Sequence, residues 1–298
     1  MKVIKPTTMT PSLIVSSSLA ETEAEWSSST AYSPGAVVYY GYDGVYQAIT
    51  SNTNKPPPTS LSDWVYLRPT NRWAIFDNQV STSSSAVGSI TLTVKTTTLQ
   101  GMALLNLNAS TVTVTVTDGL NGPVVYTATQ SLLGEVYDWY QYFFYDTDIR
   151  RTQAIFIDLP LNYTDTYTQI VITGEASSTV TAGTFTFGKI VDIGKTEYGA
   201  SAGIIDYSTK QTNEFGETTF VRRAYSKRLG ARVLLNNAEL NRIQNRLYEL
   251  RAVPALWFAS ANPNFEEALV VFGYYRDFSI DISYPNYSYC SLEIEGLI

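Results

Sequence analysis

Apolar and polar residues alternate without a break through residues 110–117, Ser-Thr-Val-Thr-Val-Thr-Val-Thr, and nearly every side chain there is β-branched. A period of two with one apolar face is the pattern of a half-buried strand. Residues 89–94 repeat it with Ile90, Leu92 and Val94 on one face, and residues 183–188 with Phe185 and Phe187. Asp118-Gly119 and Asn121-Gly122 supply turn residues that tolerate positive φ, so 111–117 is expected to turn back into 124–128. With residues 169–173, Gln-Ile-Val-Ile-Thr, as a further strand, the pattern predicts an antiparallel β-sandwich over residues 71–194.

The period changes once. Leu240, Ile243, Leu247 and Leu250 fall at i, i+3, i+7 and i+10, one apolar stripe of a helix, with Arg242, Arg246 and Arg251 off the stripe. Asn236 stands three residues before Glu239, the spacing of a capping box, and Pro254 stops the helix. Residues 255–258 and 268–272 then read as buried strands. Residues 195–298 are therefore expected to be an α+β domain, one helix packed on an antiparallel sheet.

Upstream of the sandwich, short aromatic and β-branched runs are punctuated by Gly and Pro between Trp26 and Trp64. A unit of this size has little aliphatic volume, so its rings must supply the core. Residues 1–23 carry Pro6 and Pro11 across an apolar segment too short for a secretory signal, and are expected to be an extended N-terminal arm that flexes or lies on a partner. The whole reads as mainly β: the arm (1–23), an aromatic mini-domain (24–68), the sandwich (71–194) and the α+β domain (195–298).

Composition narrows the chemistry. The 298 residues include no histidine and one cysteine, Cys290. That removes Ser-His-Asp and Cys-His nucleophile pairs, His-based zinc sites and an internal disulfide. The net charge of −7 argues against nucleic acid as a partner. Ten of the 20 Lys and Arg fall between Lys195 and Arg251, with Arg222, Arg223, Lys227, Arg228 and Arg232 clustered; a basic stripe on an acidic chain fits an acidic protein neighbour. No apolar run has the length of a membrane span, and no phosphate loop or calcium loop is present, so no cofactor and no metal are expected. Paired carboxylates could hydrolyse a glycan without histidine; Glu135/Asp138 and Asp146/Asp148 are the candidates, but acidic residues beside turns more often cap or solvate, and no enzymatic activity is expected. The crowded rings Trp139, Tyr140, Tyr142, Phe143, Phe144 and Tyr145 read as an interface.

Residues 24–68 carry W-x5-Y-x2-G-x2-V, then V-Y-Q-A, prolines and W. This resembles the small chitin- or cellulose-binding modules appended to bacterial chitinases and found on phage tail proteins. The resemblance makes Trp26, Tyr32, Gly35, Val38, Tyr46 and Trp64 the framework. The family's exposed ring pair follows the Y-x-A element, where this chain has Ile49-Thr50-Ser51; Tyr39, Tyr42 and Tyr66 are left as glycan-binding candidates, and a structural or protein-docking role is the stronger expectation.

Asn71-Arg-Trp-Ala-Ile-Phe-Asp77, Asp138-Trp-Tyr-Gln-Tyr-Phe-Phe144, the run from Asp206-Tyr-Ser-Thr-Lys to Gly216, and Ser291-Leu-Glu-Ile-Glu-Gly-Leu297 are together similar to virion proteins of tailed bacteriophages, of the tail tip, hub or baseplate region. The resemblance implies a structural virion component, homo-oligomeric, docked to tube, hub and fibre proteins. Trp139, Tyr140, Tyr142, Arg222, Arg223, Lys227 and Arg228 are the protein-docking candidates. The alternatives are a host-surface glycan-binding adhesin acting through the N-terminal module, with host polysaccharide as partner, and, third, a glycan hydrolase.

Overall fold

The computed structural model describes residues 1–297 except 43, 80, 98, 134–138, 145–150, 158, 160–162, 213 and 260–265, with no side chain for 141, 142, 144, 266 and 267. The fold class matches the sequence expectation: mainly β, with one main helix near the C-terminus. Contacts divide the chain into two compact, discontinuous units.

The larger unit comprises Thr8–Leu99 and Ala103–Phe185, and so holds the aromatic mini-domain together with most of the expected sandwich. Its five-stranded antiparallel sheet runs in the order Val124–Ser131, Thr111–Asp118, Thr166–Thr173, Ser89–Thr97, Ile14–Ser17. The alternation does what its period dictates: Val112, Val114, Val116, Ile90, Leu92, Val94, Ile170 and Ile172 are fully buried on one face, while the threonines between them look outward. The hairpin turn places Gly119 and Asn121 at positive φ, and a Cβ on Gly122 would collide with the Asp118 carbonyl, so those turn residues are used for the backbone they permit. Strand Thr111–Asp118 pairs back on Val124–Ser131, with Thr115 opposite Thr127.

The second unit comprises Met1–Thr7, Gln100–Met102 and residues from Thr186 onward. Its core strands, all antiparallel, follow the order Lys2–Pro6, Ala255–Phe258, Val270–Asp281, Tyr287–Gly296, Tyr225–Asn236. Lys195–Thr196 and Ser201–Asp206 share the outer edge of Tyr225–Asn236. Residues 2–6, expected to belong to an extended arm, are extended but integral: they pair on one side with residues 188–192 and on the other with 256–258. Residues 268–272 do not form a strand throughout; Glu266–Leu269 is a helical turn and the strand starts at Val270.

Helix Leu240–Glu249 lays Ile243 and Leu247 on this sheet, followed by Leu250, against Leu229, Val233, Trp257, Leu292 and Ile294. The Tyr275 hydroxyl donates to the Leu247 carbonyl at 2.9 Å, and the Trp257 indole N–H donates to the Gly273 carbonyl at 3.1 Å, so both large rings reach the core with their polar ends satisfied. Only half of the expected capping box forms. The Asn236 side chain accepts from Ala238 N–H at 3.0 Å, but the Glu239 carboxylate goes to Arg242 at 2.7 Å. Asn236 ends a strand, opposite Tyr287, and a tight 3₁₀ turn, Asn237–Glu239, comes between strand and helix. Cys290 is buried in the same core, and burial, with Asp281 adding to it, pushes its thiol up to about 11; it is an inert thiol.

Candidate docking and glycan sites

The N-terminal module is a four-stranded sheet, Ala24–Glu25, Val37–Tyr40, Gly44–Ala48 and Trp64–Arg68, with a small pair, Ala31–Tyr32 and Asn52–Thr53. Its core is Tyr32, Val38, Tyr46, Ala48 and Trp64, with Trp26, Ala36 and Tyr40 packed against it. Tyr32 meets Trp64 edge-on at 5.2 Å, and its hydroxyl accepts from Ser27 N–H at 2.7 Å. The Trp64 indole donates to the Lys55 carbonyl at 2.9 Å, and Gly35 sits at φ +90° in the turn before Val37. Asp63 anchors the proline-rich connection, accepting from Thr50 at 2.7 Å and Lys55 at 2.9 Å. The hydrogen bond from Lys55, followed by that from Thr50, holds its carboxyl below the ordinary value.

The three glycan candidates do not converge. Tyr39 stands opposite Val45, and Tyr66 opposite Tyr46, on alternate faces of one sheet. Tyr42 lies in the turn between strands and packs edge-on against Trp73 at 6.0 Å. Tyr66 is the most open, 49% exposed on the edge strand, its ring against Tyr46 at 5.6 Å and over Gly44, where a Cβ would strike it. Burial raises the hydroxyl pKa of both Tyr39 and Tyr66, with Glu25 the next contributor at Tyr39.

The Asn71-to-Asp77 motif is a clamp. Backbone N–H groups of Asn71 and Arg72 donate to the Glu21 carboxylate at 2.8 and 2.9 Å. The Asn71 amide bridges Ala20 and Ser85, donating to both carbonyls and accepting from Ser85 N–H. Trp73 and Phe76 continue as a chain of tilted and edge-on ring contacts to Phe185, and Asp77 closes the following loop through Gln79 N–H and Thr82. These residues fix the path between the aromatic module and the sandwich strands.

Two features stand off their own units. In the larger unit, the short helix Trp139–Phe144 carries Trp139 and Phe143 stacked at 6.3 Å, with Trp139, Tyr140 and Phe143 all more than half exposed. The Tyr142 side chain lies outside the described residues, as do Glu135, Asp138, Asp146 and Asp148. In the second unit, strands Thr209–Thr212 and Thr218–Val221 form a separate two-stranded sheet, with Thr209 opposite Val221 and Thr212 opposite Thr218. Among the described residues no third strand pairs with it. Its side chains are exposed almost throughout, Phe220 at 72% and Phe215, at the turn, at 90%. Arg222 and Arg223 are exposed at its root, where the Ser208 hydroxyl accepts from Arg223 N–H at 2.9 Å. Arg228 pairs with Glu293 at 3.1 Å and Arg232 lies over the Tyr289 ring at 4.0 Å; Lys227 is exposed nearby. Arg222, Arg223 and Lys227 thus lie at the foot of an exposed hairpin arm, an element not expected from the sequence. Its signal was present in Thr-Lys-Gln-Thr and Thr-Thr-Phe-Val on either side of Gly216: strand formers with no apolar face to bury.

Among the described residues no three His, Cys, Asp or Glu side chains group as a metal site, and no helix is long and apolar enough to cross a membrane. No protein-family model and no curated protein matches the sequence.

Proposed function

We propose that the chain is a structural component of a bacteriophage tail, at the tip, hub or baseplate, that docks neighbouring virion proteins. The observation that carries this reading is the arm. An isolated two-stranded hairpin is at best marginally stable in water, and this one has exposed rings and a cationic root, which is the make-up of an element completed by a partner. The resemblance of the Asn71 motif, the residues before Gly216 and the C-terminal segment to tail virion proteins supplies the setting.

The glycan-binding reading has less behind it: a pyranose face needs an exposed aromatic plane, and of its three candidate rings Tyr66 alone is exposed while Tyr39 and Tyr42 are half-buried. The test is assembly in vivo. Particles made with Arg222→Glu and Arg223→Glu together are expected to lack the chain, or to stall before tails are complete, while the purified variant keeps its far-ultraviolet spectrum. Normal particles containing the variant at wild-type abundance would remove the proposal.

A further inference from the structure

We infer that the arm docks head to tail on a second copy of this chain; this deepens the assembly reading above by naming the partner. Three observations converge. The first is charge. Residues 207–228 carry five cations, Lys210, Arg222, Arg223, Lys227 and Arg228, against Glu214 and Glu217, a net +3. Because the whole chain is −7, the remainder carries −10. Another copy is therefore a host of opposite sign, and attraction between arm and body steers the encounter.

The second is size. The arm and its root present roughly 20 residues, the number a standard protein interface places on one side. With Phe220, Val221 and Tyr225 exposed among them, the segment carries apolar anchors directly beside its cations.

The third is the location of a matching surface. Tyr225 pairs with Asp206 where the arm leaves the sheet, whereas Asn236, the other end of the same strand, pairs with Tyr287. At that far end, the connection after Asp281 exposes Ile282, Tyr284 and Tyr287 together. Apolar side chains beside a carboxylate are the counterpart of Phe220 and Val221 beside two arginines. The two patches lie at opposite ends of one sheet, so a contact between them is heterologous: each copy gives its arm to the next and receives another, which closes as a ring or grows as a filament.

Sedimentation of the full chain reads this directly. The wild type is expected to run at multiples of 33.0 kDa, falling toward one as salt rises. Two variants are expected to run as monomers: one with residues 209–221 replaced by Asn-Gly, which shortens the arm without touching the core, and one with Ile282→Asp and Tyr284→Asp. Far-ultraviolet spectra and melting curves check that both remain folded. Mixing the two monomeric variants is the decisive arm, because one keeps the acceptor and the other keeps the arm; head-to-tail docking restores a complex of twice the monomer mass. A mixture that stays monomeric, or an arm-shortened variant that associates like the wild type, overturns the inference. A wild-type chain that sediments as a monomer yet enters particles also overturns it, and leaves the tail reading standing.

Discussion

At the residue scale, the side chains with the most to do are small amides and carboxylates at junctions. Asn71 makes three hydrogen bonds to backbone groups of Ala20 and Ser85, at 2.8, 2.9 and 2.8 Å. Its replacement by alanine leaves those groups without their partner, and the expected loss is about 2 kcal/mol, read from urea denaturation, with the module's tryptophan fluorescence shifting first. The sequence alone marked Asn71 as part of a motif and offered no role for it, because every partner is backbone, and which backbone atoms meet an amide is decided by the fold. Trp26, Tyr32 and Trp64 were easier to read: in so small a unit a large ring has nowhere else to go but the core.

Elements were legible in proportion to how much of one face they bury. The Thr111–Asp118 strand, with one wholly apolar face, could be placed from alternation, and its turn and partner from the Asp-Gly and Asn-Gly pairs that follow. Helix Leu240–Glu249 could be placed to within a residue or two by its stripe and its stop. Its start departs from the capping box because a 3₁₀ turn, Asn237–Glu239, stands between strand and helix and the Glu239 carboxylate goes to Arg242 instead of returning to the cap. The cap hydrogen bond from Ala238 remains, so Asn236→Ala is expected to cost about 1 kcal/mol, measured by thermal unfolding, while Glu239→Gln costs a few tenths at most because it loses an exposed ion pair and no cap. The arm was not legible as an element for the converse reason: it buries neither face, and periodicity has nothing to report.

At the scale of the whole molecule, with no histidine in the sequence, the carboxylates govern how stability responds to acid. Asp63 is held below its ordinary 3.8 by Lys55 and Thr50, and Glu249 below 4.5 by Lys5 and then Arg246. A carboxyl depressed in the folded state contributes its full stabilisation above the ordinary value and loses it as pH falls through the depressed one. Asp77 opposes them: burial raises its pKa, so its ionised form is a cost that protonation relieves. With the depressed groups in both units, the steepest fall in melting temperature is expected below about pH 4. A steepest fall near pH 6 would contradict this. Contacts divide the chain into units assembled from separated segments, and such a division leaves no local composition change where it falls.

The position of residues 2–6 also sets a timetable. This strand leaves the ribosome early, yet its two neighbours are residues 188–192 and 256–258. At typical elongation rates that is a wait of roughly 10 to 50 s, through which an edge-exposing, partly apolar segment stays unpaired. The intervening chain holds nearly all of the larger unit and can fold meanwhile, whereas the second unit is obliged to close after its last strands are made. High contact order slows folding, so the second unit is expected to refold more slowly than the larger one, which stopped-flow refolding would read.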